Sequence, residues 1–310
     1  MPLGDHVVYS SRSWADIGPH VFPMEKYAGV HRRLKEEGGL TEALEPGMPP
    51  REDLLRVHSA AYLDDLAGGR HTWRTEASEL PLTQEIAEFF WLACGGTTLA
   101  ARSALERGWA VHLGGGFHHA FAEKAEGFCY LNDLAVAARA VLADGAAERV
   151  TVVDLDVHQG NGTAAIFRDA SDVYTFSVHQ EDNYPVKERS DRDIGLVSFD
   201  RSRERSPWVD DDLYLATLDG ALAEVLEESR PDLVLYQAGA DPYERDQLGG
   251  FRLTREGLSR RDESVYRTCR GRGVPVAATL GGGYAIDVTD TIAIHLETIR
   301  AARRVFGGVA

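Results

Sequence analysis

Two aspartates and a histidine alternate directly after an apolar run in residues 150–163, which read VTVVDLDVHQGNGT. In an extended chain, residues two positions apart point to the same side, so Asp154, Asp156 and His158 are expected to converge. Two neighbouring carboxylates repel each other unless a positive charge lies between them, and a divalent metal ion is a natural candidate. On this stretch alone, a solvated acidic loop after a core strand is an equal alternative.

Three further apolar runs share the same order, in which glycine and then polar residues follow the run. These runs and their polar residues are 110–113 with His118 and His119, 232–236 with Asp241, and 274–280 with Tyr284. Short apolar runs of this kind are typical of strands buried on both faces of a parallel sheet. Ligands of such sheets bind beyond the carboxyl ends of the strands, so the four polar ends are expected to meet in one cleft.

Helical patterns separate these strands, with no linker rich in proline, glycine or serine and no internal repeat. Alternating strands and helices predict one parallel sheet covered by helices on both faces. The expected fold is therefore α/β, a single-domain three-layer α/β/α sandwich with a mostly parallel central sheet over residues 1–310. Residues 180–210 are polar and are expected to form mostly loop.

The composition is that of an ordinary globular protein with a surplus of acidic residues. The 310 residues include 33 Lys and Arg against 49 Asp and Glu, which gives a formal net charge of −16. This balance disfavours binding to nucleic acid and makes a cationic or neutral substrate the easier partner. Acidity also serves solubility, which explains most of the surplus without any partner.

Cysteine use and hydropathy indicate where the protein works. The three cysteines, Cys94, Cys129 and Cys269, form no C-x-x-C pair, so neither a disulfide framework nor a zinc ribbon is indicated. No signal peptide is evident, and no run approaches the ~18 apolar residues of a membrane span. The sequence therefore predicts a cytoplasmic protein with no membrane span, and it leaves the oligomeric state open.

The sequence resembles the histone deacetylase family, which has the arginase/deacetylase fold. Five motifs occur in the family's order, and with their helical flanks the resemblance covers most of the chain. They are GWAVHLGGGFHHA (108–120), GFCYLND (127–133), VVDLDVHQGNGT (152–163), LYQAGADPYERDQLGG (235–250) and LGGGYA (280–285). Phe117 and the HQGNGT stretch look most like the class IV branch and its bacterial relatives. The resemblance implies a single deacetylase-like catalytic domain.

This resemblance implies that Asp156, His158 and Asp241 are zinc ligands, although Fe²⁺ or Co²⁺ could occupy the same site. Three protein ligands without cysteine leave a coordination position free, which is typical of a catalytic rather than a structural site. The resemblance also implies that His118 and His119 are paired imidazoles beside the metal. His119 is expected to act as general base and as general acid.

The remaining catalytic roles also follow from the resemblance. Asp154 is expected to hold His118, which then acts mainly through its charge, and Tyr284 is expected to donate its hydroxyl to the substrate carbonyl. Asn161 stands where class I enzymes have an aspartate that faces the second histidine. An amide cannot raise the pKa of an imidazole as a carboxylate does, which bears on the acid role of His119.

The resemblance further implies a channel for an acylated lysine. Gly127 and Phe128 correspond to one wall, and Tyr184 corresponds to the opposite wall, with ordinary loop packing as its alternative. Phe117 replaces the bulkier tryptophan of class I, which is expected to leave room for a longer acyl chain.

The family also often holds a structural potassium ion through main-chain carbonyls. The positions that correspond to this potassium site are Asp154, Asp156, His158 and Ser177.

The function implied is a zinc-dependent hydrolase that removes acetyl or longer acyl groups from lysine side chains of a protein or from a small acylated amine. An acetylpolyamine amidohydrolase is the main alternative, because its small cationic substrate suits the net charge of −16. A dimanganese ureohydrolase would need further carboxylates to bridge a second metal. A non-catalytic binder of acylated lysine is the last alternative.

Overall fold

The computed structural model describes residues 3–307, and its centre is a seven-stranded sheet in which all neighbouring strands are parallel. The strands are β1 (Val7–Val8), β2 (Trp109–His112), β3 (Val150–Asp154), β4 (Val173–Gln180), β5 (Arg192–Leu196), β6 (Leu233–Gln237) and β7 (Val276–Thr279). Their order across the sheet is β1-β2-β7-β6-β3-β4-β5. Strands β2, β3, β6 and β7 are buried along their whole length, as expected for strands covered on both faces.

Nine α-helices of the described residues flank this sheet. They are α1 (Glu25–Glu36), α2 (Arg51–Leu55), α3 (Ala60–Ala67), α4 (Gln84–Arg107), α5 (Asp133–Ala143), α6 (Asn161–Phe167), α7 (Asp211–Ser229), α8 (Arg255–Gly271) and α9 (Val288–Phe306). Side-chain caps set several of their starts: Thr83, Asn132, Asp210 and Thr254 each accept a backbone N–H of the first turn. Gly108 ends α4 in the left-handed conformation.

The helices form two groups around the sheet. Helix α4 packs against α5 and against β2 and β7, whereas α8 packs against α7 and α9. This confirms the expected α/β fold, and the sheet is wholly parallel where a mostly parallel one was expected. Helix α4 runs unbroken through Gly95 and Gly96, where a side chain would collide with the backbone of Gly47 and with the ring of His112. These glycines therefore serve close packing.

The segment 180–210 is mostly loop, as expected, and it includes one strand. Strand β5 pairs with β4 at the edge of the sheet. Its residues alternate between half-buried and exposed at the sheet edge, so it lacks the apolar run of the central strands. Helices α2 and α3 are separate, because Ser59 caps the start of α3 by accepting from Tyr62 N. Within residues 3–307, no helix combines the length and apolarity needed to cross a membrane.

Candidate active site

The polar residues that follow β2, β7, β6 and β3 lie together at the carboxyl ends of these strands, because the four strands are consecutive, parallel neighbours. Each residue of the set is at most 8% exposed. The set comprises His118, His119, Asp154, Asp156, His158, Asn161, Asp241 and Tyr284. The structure therefore brings together all eight residues that the sequence predicts for metal binding and catalysis.

Asp156, His158 and Asp241 form a compact group of potential metal ligands, with their ligand atoms within 4.8 Å of one another. The Nδ1 atom of His158 lies 3.2 Å from Asp156 Oδ1 and 3.2 Å from Asp241 Oδ2. Zinc bonds to such atoms are roughly 2.0–2.2 Å long, so ligand atoms at tetrahedral positions are roughly 3.3–3.6 Å apart. The spacing and the two-oxygen, one-nitrogen donor set thus fit a zinc ion.

The electrostatics of this group also favour a bound cation. Burial, together with the charge of Asp156, raises the pKa of Asp241 to about 7. Burial and the nearby carboxylate both disfavour a negative charge on Asp241, and a bound cation would offset both effects.

Backbone groups hold the two carboxylates in place. The N–H groups of His158 and Gly282 donate to the two oxygens of Asp156 at 3.0 and 2.9 Å, and the N–H of Val157 donates to Asp241 Oδ1 at 2.9 Å. Gly282 has to be glycine, because a Cβ atom there would collide with the carboxylates of Asp241 and Asp156. Such fixed partners orient the ligands before any metal binds.

The two adjacent histidines have different partners. His118 Nδ1 donates to Asp154 Oδ2 at 2.7 Å, whereas His119 Nδ1 donates to the amide oxygen of Asn161 at 2.8 Å. The Nε2 atoms of the two rings lie 3.1 Å apart, which requires one of them to donate and the other to accept. A doubly protonated His118 that donates to the bare Nε2 of His119 satisfies all three contacts.

The electrostatic surroundings support the same assignment of protons. Burial lowers the pKa of His118, but the charges of Asp154 and Asp156 outweigh it and raise this pKa to about 9. Burial and the positive charges of His118 and His158 hold the pKa of His119 well below its usual range. At neutral pH, His118 is therefore charged and His119 is neutral.

A cavity of about 200 Å³ leads from the surface to this group of residues. It is lined by Glu79, His119, Gly127, Phe128, His158, Asn183, Tyr184, Leu248 and Tyr284. The ring centre of Tyr184 lies 5.2 Å from that of His119, and the ring centre of Phe128 lies 6.0 Å from that of Tyr284. Gly127 has a φ of +53°, and a Cβ atom there would come within 2.7 Å of the His119 ring. The three residues predicted for the channel walls thus line the cavity.

The ring of Phe117 lies within a cluster of aromatic side chains. Its ring is 3% exposed and lies 4.5 Å from Phe90, 5.7 Å from Phe89 and 6.5 Å from Phe22, between ring centres. These three rings surround that of Phe117, which does not line the cavity. Room for a longer acyl chain at this position stays a prediction.

Two buried cations near the site were not singled out from the sequence. Arg261 donates from one guanidinium nitrogen to the carbonyls of Leu155 and Gly239, and so joins the ends of β3 and β6. Lys26 Nζ donates to the carbonyl of Gly281 at 2.7 Å. A signal for Arg261 exists: it lies three residues after Leu258, on the apolar stripe of α8.

Comparisons with known proteins give a consistent result. A protein-family model described as Histone deacetylase domain matches residues 20–299. An uncharacterized protein of Picosynechococcus sp. is 42% identical over 291 residues, which are 93% of this chain and 94% of that protein. Histone deacetylase 2 of Arabidopsis thaliana is 34% identical over 289 residues, which are 90% of this chain and 73% of that protein.

Two more matches extend the comparison. A probable deacetylase of Methanothermobacter thermautotrophicus is 33% identical over 275 residues, which are 86% of this chain and 81% of that protein. Among solved structures, the crystal structure of the HDA15 HD domain matches with a TM-score of 0.78, covering 98% of this chain and 91% of that chain. Its sequence identity is 23%, so this likeness shows the fold alone.

Proposed function

The chain belongs to the histone deacetylase family, and on this premise we propose that it is a zinc-dependent hydrolase that removes acetyl or longer acyl groups from lysine side chains. One observation carries the proposal. Three potential metal ligands, two imidazoles and the phenol of Tyr284 lie together, and His119, His158 and Tyr284 of this set line one cavity that is open to the surface. Metal-assisted hydrolysis of an amide uses all three kinds of group.

A zinc ion held by Asp156, His158 and Asp241 would polarise the substrate carbonyl and lower the pKa of the attacking water. His119 lines the cavity, and its Nε2 is bare because Nδ1 donates to Asn161. It therefore takes a proton from the water and later delivers one to the leaving amine.

His118 and Tyr284 act on the charge that develops during the reaction. His118 is held by Asp154, and its positive charge favours the negative charge of the transition state. The Tyr284 side chain lines the cavity, from which its hydroxyl donates to the carbonyl oxygen of the substrate. The methylene groups of a lysine would pass between Phe128 and Tyr184, whose rings offer an apolar wall.

An acetylpolyamine is the second candidate substrate. The exposed carboxylate of Glu79 lines the cavity, and the formal net charge of the chain is −16. Both features favour a substrate that carries an additional positive charge beyond the acylated nitrogen.

A single set of assays tests the proposal. The zinc-loaded protein is given acyl-lysine peptides and acetylated polyamines, each with and without a chelator. We expect turnover of an acyl-lysine peptide that is lost with the chelator and restored by zinc. Faster turnover of polyamines would support the second candidate, and turnover that resists the chelator would contradict the zinc mechanism.

The number of bound metal ions and the presence of turnover distinguish the proposed function from two others, a ureohydrolase and a binding protein. Within residues 3–307, Asp156, His158 and Asp241 form the only group of three or more potential ligands, which supports one metal ion per chain. Two manganese ions per chain would support a ureohydrolase. Tight binding of acylated lysine without any turnover would support a binding protein.

Two further parts of the proposal concern ions and location. Asp154 and Ser177 are register partners on β3 and β4, which supports a potassium ion held by main-chain carbonyls near them. A potassium requirement would be measured as zinc-dependent turnover in sodium and in potassium buffers.

The three cysteines are buried and unpaired, which supports a reducing compartment such as the cytoplasm.

A further inference from the structure

A carboxylate lies behind the amide that contacts His119. Glu126 immediately precedes Gly127, and its backbone exchanges two hydrogen bonds with that of Cys129, at 3.1 and 3.0 Å. This turn fixes the position of Glu126, and the side chain is only 18% exposed. Glu126 was not singled out from the sequence, because a glutamate in a polar loop has no distinguishing pattern there.

Glu126 completes a chain of contacts that ends at His119. Its Oε1 atom accepts a hydrogen bond from Asn161 Nδ2 at 2.7 Å, and Asn161 Oδ1 accepts from His119 Nδ1 at 2.8 Å. Its other oxygen, Oε2, forms an ion pair with Lys124 Nζ at 2.5 Å. The hydroxyl of Tyr184 lies 3.5 Å from Oε1, so the same carboxylate also faces the channel wall.

The contact between Glu126 and Asn161 decides which way the amide points. A primary amide presents an acceptor oxygen on one side and a donor NH₂ group on the other. A carboxylate only accepts, so Glu126 selects the orientation in which the NH₂ group faces it and the oxygen faces His119. With the opposite orientation, Nδ1 of His119 would have to accept, and the proton of the neutral ring would move to Nε2.

The position of this proton matters for the reaction. His119 can take a proton only at Nε2, which faces the His118 ring and the cavity, and only while this atom is bare. After the proton is taken, the ring is positively charged, and the carboxylate of Glu126 stabilises it through the polarised amide. Glu126 thus does through Asn161 what a directly bound carboxylate would do.

We propose that Glu126 is the positioning residue of His119: it orients the Asn161 amide so that His119 keeps its proton on Nδ1 and presents a bare Nε2. This inference rests on the proposed function, because it takes His119 to be the general base. It assigns no contact with substrate to Glu126. The alternative is that Glu126 and Lys124 merely stabilise the loop.

The test uses the full-length, zinc-loaded protein and an acetyl-lysine peptide. We expect Glu126→Ala to lower kcat by about 10- to 100-fold with KM unchanged, since removal of a group that orients a catalytic residue has effects of this size. Glu126→Gln keeps an acceptor oxygen and should lose less. Glu123→Gln, which changes an exposed carboxylate of the same loop, is the matched control and should leave kcat unchanged.

A pair of exchanges separates positioning from loop stability. Asn161→Asp alone places two carboxylates in hydrogen-bond contact and should lower kcat. Asn161→Asp combined with Glu126→Gln again pairs a carboxylate with an amide, and should recover most of the activity lost by Asn161→Asp alone. A loop that only needs the Glu126–Lys124 ion pair would show no such recovery, and this result would overturn the inference.

A second readout does not depend on turnover. The ¹⁵N shifts of histidine ring nitrogens distinguish protonated from bare atoms, and His119→Ala identifies the signals of His119. We expect a bare Nε2 in the wild type and in Glu123→Gln, and a mixture of tautomers in Glu126→Ala. An unchanged His119 spectrum in a folded Glu126→Ala protein would overturn the inference even if no substrate is turned over. Absence of turnover in the wild type would instead contradict the proposed function.

Discussion

The floor and the wall of the cavity are built by different parts of the molecule. The floor, defined as Asp156, His158 and Asp241, follows β3 and β6, which are hydrogen-bonded neighbours in the sheet. The wall, defined as Gly127, Phe128 and Tyr184, belongs to two loops, one between β2 and α5 and one between β4 and β5. The floor is at most 7% exposed, whereas Tyr184 in the wall is 42% exposed.

This difference indicates that the floor and the wall have different roles. The sheet fixes the floor through backbone hydrogen bonds, so a change there removes the chemistry itself. Loops carry the wall, so a change there alters access and fit while the metal group stays in place. Substitutions should therefore divide into two classes, those that remove the metal and those that alter access to it.

The largest effect is expected in the floor. Asp241→Ala removes one of the three proposed ligands and would leave Asp156 and His158 with too few donors for tight binding. We expect the bound zinc to fall from one ion per chain to nearly none, with turnover below detection. Metal analysis after dialysis and a peptide assay measure both quantities. Asp169→Ala, which changes an exposed carboxylate, is the control. A fully metallated, active Asp241→Ala protein would contradict the proposal that Asp241 binds the zinc ion.

The next effect concerns Tyr284, which lies between the two regions. Its ring centre is 6.5 Å from that of His158 in the floor and 6.0 Å from that of Phe128 in the wall. If its hydroxyl acts mainly on the transition state, Tyr284→Phe should lower kcat by ~10²–10³ with KM little changed. Tyr214→Phe also deletes a buried tyrosine hydroxyl, one without a hydrogen-bond partner, and should keep full activity. A rise in KM alone would assign Tyr284 to the wall.

The floor could be predicted from the sequence more fully than the wall. Apolar runs followed by polar residues located all four strand ends, because burial and strand geometry are properties of the local sequence. The pattern could not separate the aspartates, since it placed Asp154, Asp156 and His158 on one side. Strand β3 ends at Asp154, and the chain then bends, so Asp154 faces His118 while Asp156 faces His158 and Asp241. Only the family resemblance anticipated this difference.

The parts that the sequence did not reveal depend on partners distant in the chain. Arg261 is 106 residues from Leu155, whose carbonyl it binds, and Glu126 is 35 residues from Asn161. Strand β5 exists because β4 offers it an edge, and its own residues show no apolar run. Such contacts are tertiary, so neither periodicity nor local propensity indicates them.

A smaller effect is expected in the wall. Gly127→Ala adds a methyl group that would lie within 2.7 Å of both the His119 ring and the Tyr184 hydroxyl, and the position has a left-handed φ of +53°. We expect kcat/KM to fall about tenfold through displaced neighbours, with bound zinc unchanged. Gly145→Ala has a similar φ of +68° but no atom within 4 Å of the added carbon, so it controls for backbone strain. Loss of zinc in Gly127→Ala would break the distinction between floor and wall.

The smallest effect concerns the aromatic rings beside the floor. The rings of Phe22, Phe89 and Phe90 surround that of Phe117, and the ring centre of Phe22 lies 6.2 Å from that of Tyr284. Because Phe117 is buried in this cluster and does not line the cavity, we expect kcat/KM of the wild type to decrease from acetyl to butyryl to longer acyl-lysine. The sequence alone suggested the opposite trend.

Phe117→Leu sharpens this last prediction. The smaller side chain opens space within the cluster, and each buried methylene is worth ~0.8 kcal/mol, or about fourfold in binding. We therefore expect the ratio of kcat/KM for propionyl-lysine over acetyl-lysine, which differ by one methylene, to rise about fourfold, measured on one peptide sequence. Phe306→Leu is the control, because the Phe306 ring packs on Trp109 and Tyr266. Trp109 is the first residue of β2, and the site lies beyond the other end of this strand. If the wild type already prefers long chains, the cluster must rearrange on binding, and these rings beside the floor would share the adaptability of the wall.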